Sequence, residues 1–269
     1  MVRRPVLLLV AVLLGVDRSR WQDFREWSND VTTLFGVRTP ADLPLVTGRA
    51  LPNILALRNL IDAFPQPVWL RDGARRAYSM ANAPHDDAVL QLHLRNYGGP
   101  FSQFVFNTLK EKDILRAEGP YGSFFLREDS DKPIVLLASG TGFAPIKALI
   151  EHMQHQGITR PTTLYWGGRR PSDLYMADWL QTQLQAMPHL TYVPVISNAE
   201  AEDQWTGRTG FVHQAVLEDH PDLSGFQVYA CGAPIVIESA QRDYVAKGGL
   251  PAEEFYADSF TSEADKAKA

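Results

Sequence analysis

Cysteine is nearly absent from this chain, and neither sign of charge dominates it. Cys231 is the single cysteine among 269 residues, and the formal net charge is −5. One thiol excludes an intrachain disulfide and a cluster held by several thiolates of this chain, so we predict no metal site. It also suits a reducing compartment, from which we predict a cytoplasmic location. No basic stripe runs along the chain, so nucleic acid is not expected as a partner.

Also lacking is an apolar run long enough to span a membrane as a helix. Residues 5–16 are largely apolar and follow Arg3 and Arg4, which is typical of the start of a secretion signal. However, the run is shorter than the ~20 residues that a spanning helix needs. Residues 17–20 then add charge without a small-residue cleavage site. We therefore prefer a buried or irregular segment to a signal or membrane anchor.

The residues that are present divide the chain into three zones and a tail. Residues 1–68 carry mixed signals, residues 69–130 are rich in strand patterns, and residues 131–260 alternate strands with helices. Residues 261–269 are polar and predicted to be disordered. With 45% hydrophobic residues, the chain can bury the core of one large domain or of two smaller ones.

In the second zone, strand and turn signals follow one another closely. The stretch VLQLHLRN places Leu90, Leu92 and Leu94 on one face and polar residues on the other, which predicts a half-buried strand. Gly98 and Gly99 end this strand, and a short helical pattern follows. The stretch DILRAEGPYGSFFL then indicates another strand, a Gly-Pro turn and a further apolar run.

The third zone has the pattern of a doubly wound α/β domain. Short β-branched or aromatic runs that alternate with helices predict a parallel sheet with helices on both faces. Pro145 and Pro234 suit the first position of a helix, and Ser172 suits an N-cap. The predicted strands are IVLLA, TTLYW, LTYVPVI, FQVYA and EFYAD, and the predicted helices span residues 144–155, 172–186, 211–217 and 234–246.

The stretch IVLLASGTGFAPIKALI contains a turn with the character of a ligand site. Gly140, Thr141 and Gly142 follow the first strand of the sheet, where ligands of doubly wound folds bind. Free N–H groups and the dipole of the next helix favour an anion such as a pyrophosphate there, so the turn suits a dinucleotide. A glycine-rich first turn is also common in other α/β proteins. In addition, Ala144 and Pro145 stand where the usual fingerprint has its third glycine.

Two further strand ends carry candidate ligand residues. After the second strand, LYWGGRRPSDLY offers no acid to hold a ribose. Arg169 and Arg170 suit a phosphate or a ribose there, or form a solvated pair. After the fourth strand, Cys231 and Gly232 form a turn, and Pro234 begins a helix. Because the thiol has no base near it in sequence, we weigh packing as a half-buried residue equally with contact to a ligand.

Taken in order, four motifs resemble those of the ferredoxin–NADP⁺ reductase superfamily. RAYSMAN and GGPFS are similar to its two flavin motifs, and SGTGFAPI and CGAP are similar to its nicotinamide motifs. The resemblance is strongest to CDP-6-deoxy-3,4-glucoseen reductase-like proteins, in which a reductase module follows a plant-type [2Fe–2S] ferredoxin domain. It implies a partial antiparallel flavin-binding β-barrel over residues 69–130 and a parallel nicotinamide-nucleotide-binding domain over residues 131–260.

The resemblance also implies roles for individual residues. Arg76 would neutralise the pyrophosphate of FAD, Tyr78 would stack on the isoalloxazine, and Ser79 would hydrogen-bond near flavin N5. Tyr78, Ser79 and Cys231 are thereby the predicted catalytic residues. The other predicted cofactor-binding positions are His93, Leu94, Gly98, Gly99 and Ser102 for FAD, Gly140, Thr141, Gly142, Ala144, Pro145, Arg169, Cys231, Gly232 and Pro234 for the nicotinamide nucleotide, and Phe260 as a cover for the flavin ring.

Several of these residues have a purely structural interpretation as well. Without the resemblance, Arg76 is a surface charge and Tyr78 a strand aromatic. His93 is then an exposed strand histidine, and Phe260 an ordinary core aromatic. These alternatives stay open at the level of the sequence.

The implied activity is that of an FAD-dependent NAD(P)H oxidoreductase, with NADH slightly favoured over NADPH. A hydride passes from the nicotinamide to FAD across a cleft between the two domains, which needs no side-chain acid or base. Because one cysteine cannot build the ferredoxin cluster, the electron acceptor would be external: an iron–sulfur protein, or an oxygenase or dehydrase component. The alternative is an impaired or non-catalytic NAD(P)-binding remnant with a defective flavin site. Residues 1–68 show no family match, and we interpret them as a shifted reading frame or a divergent replacement.

Overall fold

The computed structural model describes residues 7–12, 65–69, 75–86, 88–111, 113, 115–117 and 123–260. For residues 7–12, 65–69, 75 and 116, only the backbone is described. The described chain divides into two compact units. The first contains the described residues up to Phe125 together with Lys147–His152, and the second contains Leu126–Ile146 and the described residues from Met153 onward. The predicted tail at 261–269 and most of residues 1–64 lie outside the described residues.

In its described residues, the first unit consists of short antiparallel strands, one helix of its own and the Lys147–His152 part of a longer helix. Strands β1 and β4 pair with each other, and β2 pairs with β3 on one side and with β5 on the other. This arrangement is consistent with the predicted flavin barrel. The elements are β1 (Leu7–Val12), β2 (Pro65–Trp69), β3 (Arg75–Ser79), β4 (Val89–Leu94), α1 (Pro100–Asn107) and β5 (Arg116–Ala117).

Strand β4 carries the core of this unit, as its alternating sequence predicts. Leu90, Leu92 and Leu94 are buried and pack with Phe101 of α1. The prediction of an exposed face opposite them is wrong at His93, which is only 4% exposed. The apolar segment near the N-terminus is a strand that pairs with β4, where the sequence favours a buried or irregular segment.

The second unit is a parallel sheet with helices. Its strands follow the order β11–β10–β6–β7–β8–β9, and every neighbouring pair is parallel. The predicted doubly wound fold is thereby confirmed. The elements are β6 (Ile134–Ser139), α2 (Phe143–Gln156), β7 (Thr162–Gly168), α3 (Ala177–Ala186), β8 (Leu190–Ile196), β9 (Arg208–Thr209), α4 (Val212–Asp219), β10 (Gln227–Gly232), α5 (Pro234–Ala246) and β11 (Phe255–Ser259).

The central strands of this sheet are buried along nearly their whole length. All six residues of β10 are buried, and in β6 only Ser139 is partly exposed. Strands covered on both faces lack the polar alternation of a half-buried strand, which explains the continuous apolar run IVLLA. Each fully buried Val, Leu or Ile side chain contributes about 1.5–3 kcal/mol to folding. These strands form the rigid base on which the turns at their ends are held.

The helices agree with the sequence except in one place. Residues 172–186 do not form one helix: Pro171–Asp173 is a 3₁₀ turn, and α3 begins only at Ala177. Ser172 therefore lies inside the turn and is not an N-cap. Pro234 is the first residue of α5, as predicted, whereas Pro145 is the third residue of α2.

The order of the strands defines a switch point at the centre of the sheet. From β6 the chain continues to β7 and β8 on one side, and it later returns to place β10 on the other side of β6. In open α/β sheets, ligands bind beyond the carboxyl ends of the strands at such a point. The glycine turn after β6 and the Cys231–Gly232 end of β10 are the two segments at this position. Separately, none of the helices formed by the described residues is both long and apolar enough to cross a membrane.

Candidate functional site

The glycine turn after β6 packs directly against the end of β10. A Cβ on Gly142 would lie 2.1 Å from the carbonyl oxygen of Cys231, so only glycine fits at this close approach. Gly140 has a φ of +56°, and no atom of the residues that the structure describes lies within 4 Å of the place where its Cβ would stand. One glycine thus permits close packing between the two motifs, while the other leaves open space beside the backbone.

Buried aromatic side chains pack beneath the glycine turn and fix its position. The indole Nε1 of Trp166 donates a hydrogen bond to the carbonyl oxygen of Gly140 at 3.1 Å. The ring of Trp166 stacks on that of Phe143, with centroids 3.9 Å apart, and Tyr175 meets both rings edge-on. Trp166 and Phe143 are fully buried, so the position of the turn is fixed by packing rather than by the loop itself. No motif in the sequence indicates this aromatic cluster.

Cys231 lies opposite an acidic residue that the motifs do not reveal. In the register of β10 and β11, Cys231 is paired with Asp258, and the thiol Sγ is 3.8 Å from Asp258 Oδ2. Cys231 is completely buried, not half-buried as expected from the sequence. Burial raises the pKa of the thiol well above its usual value, and the neighbouring carboxylate raises it further. The thiol is therefore protonated at neutral pH and is no nucleophile.

The remaining residues of the β10 motif lie beside this pair. The backbone N–H of Phe260 donates to the carbonyl oxygen of Gly232 at 2.9 Å, which places the C-terminal aromatic segment next to the end of β10. Pro234 begins α5 and is half-buried. The structure therefore brings together Gly140, Thr141, Gly142, Cys231, Gly232, Pro234 and Phe260 at one edge of the sheet.

Two residues that were predicted to contact the nucleotide are buried in the protein interior. Ala144 is 2% exposed in the first turn of α2, and Pro145 beside it is buried as well. Their side chains belong to the interior of the protein. Their place in the motif is explained by the packing of the helix start, and direct contact with a nucleotide stays a prediction for them.

The loop after β7 is rich in charge, but much of that charge is paired. The carboxylate of Asp173 accepts hydrogen bonds from the backbone N–H groups of Arg169 and Arg170, at 2.9 and 3.1 Å. The guanidinium of Arg170 forms ion pairs with Glu200 and with Asp203, the latter at 2.9 Å. Arg169 is exposed. Arg170 is thus not the simple solvated residue that the sequence allows.

In the first unit, the predicted flavin motif lies along β3. Arg76 and Tyr78 are two residues apart, so their side chains leave the strand on the same face. The ring of Tyr78 packs against Phe101 of α1 with centroids 5.3 Å apart. Burial raises the pKa of Tyr78 to about 12, although Arg76 acts in the opposite direction. Ser79 is only 3% exposed. The interpretation of Arg76 as a plain surface charge is not supported, because it is partly buried.

The second flavin motif forms the start of α1. Ser102 Oγ donates a hydrogen bond to the carbonyl oxygen of Gly99 at 3.0 Å, which closes the first turn of the helix. Among the described residues, no atom lies within 4 Å of the places where Cβ atoms on Gly98 and Gly99 would stand. The N-terminus of an eight-residue helix therefore borders open space, and such a terminus favours an anion.

The side chains of His93 and Leu94 are enclosed within the first unit. Leu94 is 1% exposed and belongs to the core with Phe101. Burial, and then the nearby charge of Lys147, lower the pKa of His93 to about 3. His93 is consequently a neutral imidazole at physiological pH. Contact between the backbone of these residues and a flavin stays a prediction.

Comparison with known proteins now adds to this geometry. The description "oxidoreductase FAD-binding domain" matches residues 67–126, and "oxidoreductase NAD-binding domain" matches residues 136–242. The chain is 31% identical over 192 residues to an NAD(P)H-flavin reductase of Aliivibrio fischeri, which covers 69% of this chain and 80% of that protein. The chain belongs to the ferredoxin reductase family. Its cofactors are accordingly FAD and a pyridine nucleotide.

Two further relatives of this ferredoxin reductase family member are matched over part of their length. It is 46% identical over 190 residues to the CDP-6-deoxy-L-threo-D-glycero-4-hexulose-3-dehydrase reductase of Yersinia pestis, covering 70% of this chain and 56% of that protein. The crystal structure of the Amycolatopsis cytochrome P450 reductase GcoB superposes with a TM-score of 0.69 and 30% identity, covering 75% of this chain and 62% of that one. The chain thus spans little more than half the length of its Yersinia relative.

The described residues fit both cofactor classes of the ferredoxin reductase family. In the first unit, the open N-terminus of α1 and the partly buried Arg76 offer positive potential to a pyrophosphate. In the second unit, the open side of Gly140 lets a ligand approach the backbone at the start of α2.

Proposed function

We propose that this chain is an FAD-dependent oxidoreductase that takes a hydride from NADH and passes electrons to an external acceptor protein. The observation that carries the proposal is the packing of the glycine turn on the end of β10, where Gly142 meets the backbone of Cys231. Two strand-end motifs thereby form one surface at the switch point, in a chain whose preceding residues match an FAD-binding domain. The alternative of a non-catalytic remnant is not favoured, because both domain descriptions match and the relatives are reductases.

On the flavin side, the residues bind and orient rather than react. Arg76 and the N-terminus of α1 would neutralise the pyrophosphate, and Tyr78 would offer the face of its ring to the isoalloxazine. The hydroxyl of Ser79 would form a hydrogen bond with the flavin ring. FAD, when bound, supplies a ring that accepts two electrons with a hydride and releases them one at a time. The high pKa of Tyr78 means that its hydroxyl stays protonated and brings no negative charge to the site.

On the nicotinamide side, the chain provides a backbone surface for the nucleotide and a protonated thiol. The backbone at Gly140 and Thr141 binds the pyrophosphate of the nucleotide. Cys231 would support the nicotinamide site from the protein interior, because its completely buried thiol contacts Asp258. Phe260 covers the ring position through its connection to Gly232. No step requires a base, because the hydride carries its electrons with it.

The nucleotide is NADH rather than NADPH. A 2′-phosphate would need a cation at the end of β7, where Arg169 is exposed to solvent and the partly buried cation is Arg170. Its guanidinium is already paired with Glu200 and Asp203. These two carboxylates also repel a phosphate dianion, so the ribose with a free 2′-hydroxyl is the better ligand.

The acceptor is a separate iron–sulfur protein or a dehydrase or oxygenase component. The single cysteine of the chain cannot hold a [2Fe–2S] cluster. One relative is named as the reductase of a dehydrase and another as a cytochrome P450 reductase. By analogy, we assign this chain the step between the nucleotide and a one-electron carrier.

A visible spectrum of the purified chain tests the proposal. We expect a yellow protein whose flavin bands bleach on anaerobic addition of NADH and return with ferricyanide. Ser79→Ala should keep its flavin but be reduced about fivefold to tenfold more slowly, since one hydrogen bond is worth about 1 kcal/mol. Ser172→Ala, at an exposed position, serves as the control. A colourless protein that stays unreactive after FAD is added would refute the proposal.

A further inference from the structure

An ion pair between a buried lysine and a partly buried glutamate lies beside the flavin motif, and the proposed mechanism does not use it. Lys147 is 4% exposed, and its Nζ is 2.5 Å from Glu151 Oε1, one helical turn later in α2. Both residues belong to the first unit. Burying two charges is costly and is repaid only when the remaining donors and acceptors are well paired. A pair of this kind therefore calls for a structural or functional reason.

The ion pair forms hydrogen bonds with the backbone segment that directly follows the flavin motif. Lys147 Nζ donates to the carbonyl oxygen of Ala81 at 2.8 Å and lies 3.3 Å from Gln91 Oε1. Glu151 Oε2 accepts the backbone N–H of Ala83 at 3.2 Å. The lysine thus binds a backbone carbonyl, and the glutamate binds a backbone N–H two residues later on the same segment.

That segment connects the two strands that carry the predicted flavin contacts. It begins two residues after Ser79, and Ala81 N donates to the carbonyl oxygen of Gln91 on β4 at 2.8 Å. Gln91 and His93 share a face of β4. The charge of Lys147 is also felt at His93, where it contributes to the low pKa. A shift of the segment would therefore displace Ser79 and the His93 backbone together.

We propose that Lys147 and Glu151 are positioning residues for FAD, which fix the Ala81–Ala83 backbone and through it the flavin-contacting end of β3. They act through Ala81 and Ala83 and touch no cofactor themselves. The inference rests on the proposed function, because it assigns the pair to the same flavin site. It predicts that loss of the pair weakens FAD binding without changing the affinity for the nucleotide.

The test compares a single variant with a double variant in the full-length chain. Lys147→Met leaves Glu151 as an unpaired, partly buried charge, so it should lower both the unfolding midpoint and the affinity for FAD. Lys147→Met/Glu151→Leu removes both charges, and replacing an ion pair by apolar residues commonly restores stability. The hydrogen bonds to Ala81 and Ala83 stay lost, however. We expect its dissociation constant for FAD to remain raised by about tenfold, the equivalent of one good hydrogen bond.

The readouts are the unfolding midpoint of the flavin-free chain, FAD affinity by quenching of flavin fluorescence, and the KM for NADH. Lys132→Met, which breaks a more exposed ion pair with Glu254, is the matched control and should leave FAD affinity unchanged. A double variant that binds FAD as tightly as the wild type would overturn the inference, as would equal weakening by Lys132→Met. Flavin that binds the wild type but is not reduced by NADH would refute the proposed function alone, while the affinities still decide the inference. A wild type that binds no FAD would overturn both.

Discussion

Replacing Gly142 by alanine tests how closely the two motifs at the switch point are packed. The new Cβ would lie 2.1 Å from the carbonyl oxygen of Cys231 and 2.7 Å from Cα of Gly232. Van der Waals contact is ordinary only from 3.4 Å, so the turn or the end of β10 has to move by about 1 Å. Since both neighbours are backbone atoms, no side-chain rotation relieves the contact. The change should cost about 1–3 kcal/mol of unfolding free energy.

The same displacement has a larger effect on the reaction. A misplacement of about 1 Å in groups that hold a reactant costs about 10²-fold in rate. We therefore expect Gly142→Ala to retain its FAD and to be reduced by NADH about 100-fold more slowly in anaerobic stopped-flow measurements. Gly225→Ala is the control, because no described part of the chain has an atom within 4 Å of its Cβ position. Reduction of Gly142→Ala at the wild-type rate would refute the argument that this close approach positions the nucleotide.

Three other predictions concern charge. The double variant Glu200→Gln/Asp203→Asn removes the two ion pairs of Arg170. The ratio of kcat/KM for NADPH to kcat/KM for NADH should then rise about tenfold, the effect of one charge-assisted hydrogen bond. An unchanged ratio would contradict the proposed preference for NADH. The pKa of His93 is about 3 in the folded chain, whereas its ordinary value is 6.5. The contribution of neutral His93 to stability is therefore complete above pH 6.5 and is lost as the pH falls towards 3. In urea unfolding, His93→Gln should lose less unfolding free energy than the wild type over that pH range. The thiol of Cys231 should resist iodoacetamide at pH 8 in the folded chain and react after denaturation, whereas rapid labelling of the folded chain would show that it is accessible or ionised.

The parallel sheet could be predicted because each of its buried strands has a recognisable local sequence pattern. A strand buried on both faces needs a short continuous apolar run, and IVLLA satisfies that condition without reference to the rest of the chain. The error over residues 172–186 has a local cause. The carboxylate of Asp173 binds the backbone N–H groups of Arg169 and Arg170, which closes a 3₁₀ turn and delays the start of α3 until Ala177. A helix propensity pattern does not register this competition from a side chain.

The flavin and nicotinamide motifs were predictable as motifs, but the contacts around them were not. The alternation in β4 correctly predicts a leucine face, yet it also predicts an exposed His93. The polar face is instead covered, because Lys147 reaches Gln91 and Ala81 from a position 66 residues later than Ala81 in the chain. A contact over that separation leaves no periodic signal in the sequence. The same holds for Asp258, whose closeness to Cys231 depends on the register of two parallel strands.

The surroundings of Cys231 explain how a buried thiol contributes without acid–base chemistry. A carboxylate beside a buried thiol stabilises the protonated form, because ionisation would place two negative charges together in a medium that solvates neither. The thiol thus remains a neutral, polarizable group of fixed shape next to the close contact between Gly142 and the end of β10. Hydride transfer moves no separate proton to or from the protein, so alignment is what the reaction demands of this residue. The rigid packing of the turn and the suppressed ionisation of Cys231 therefore serve the same requirement.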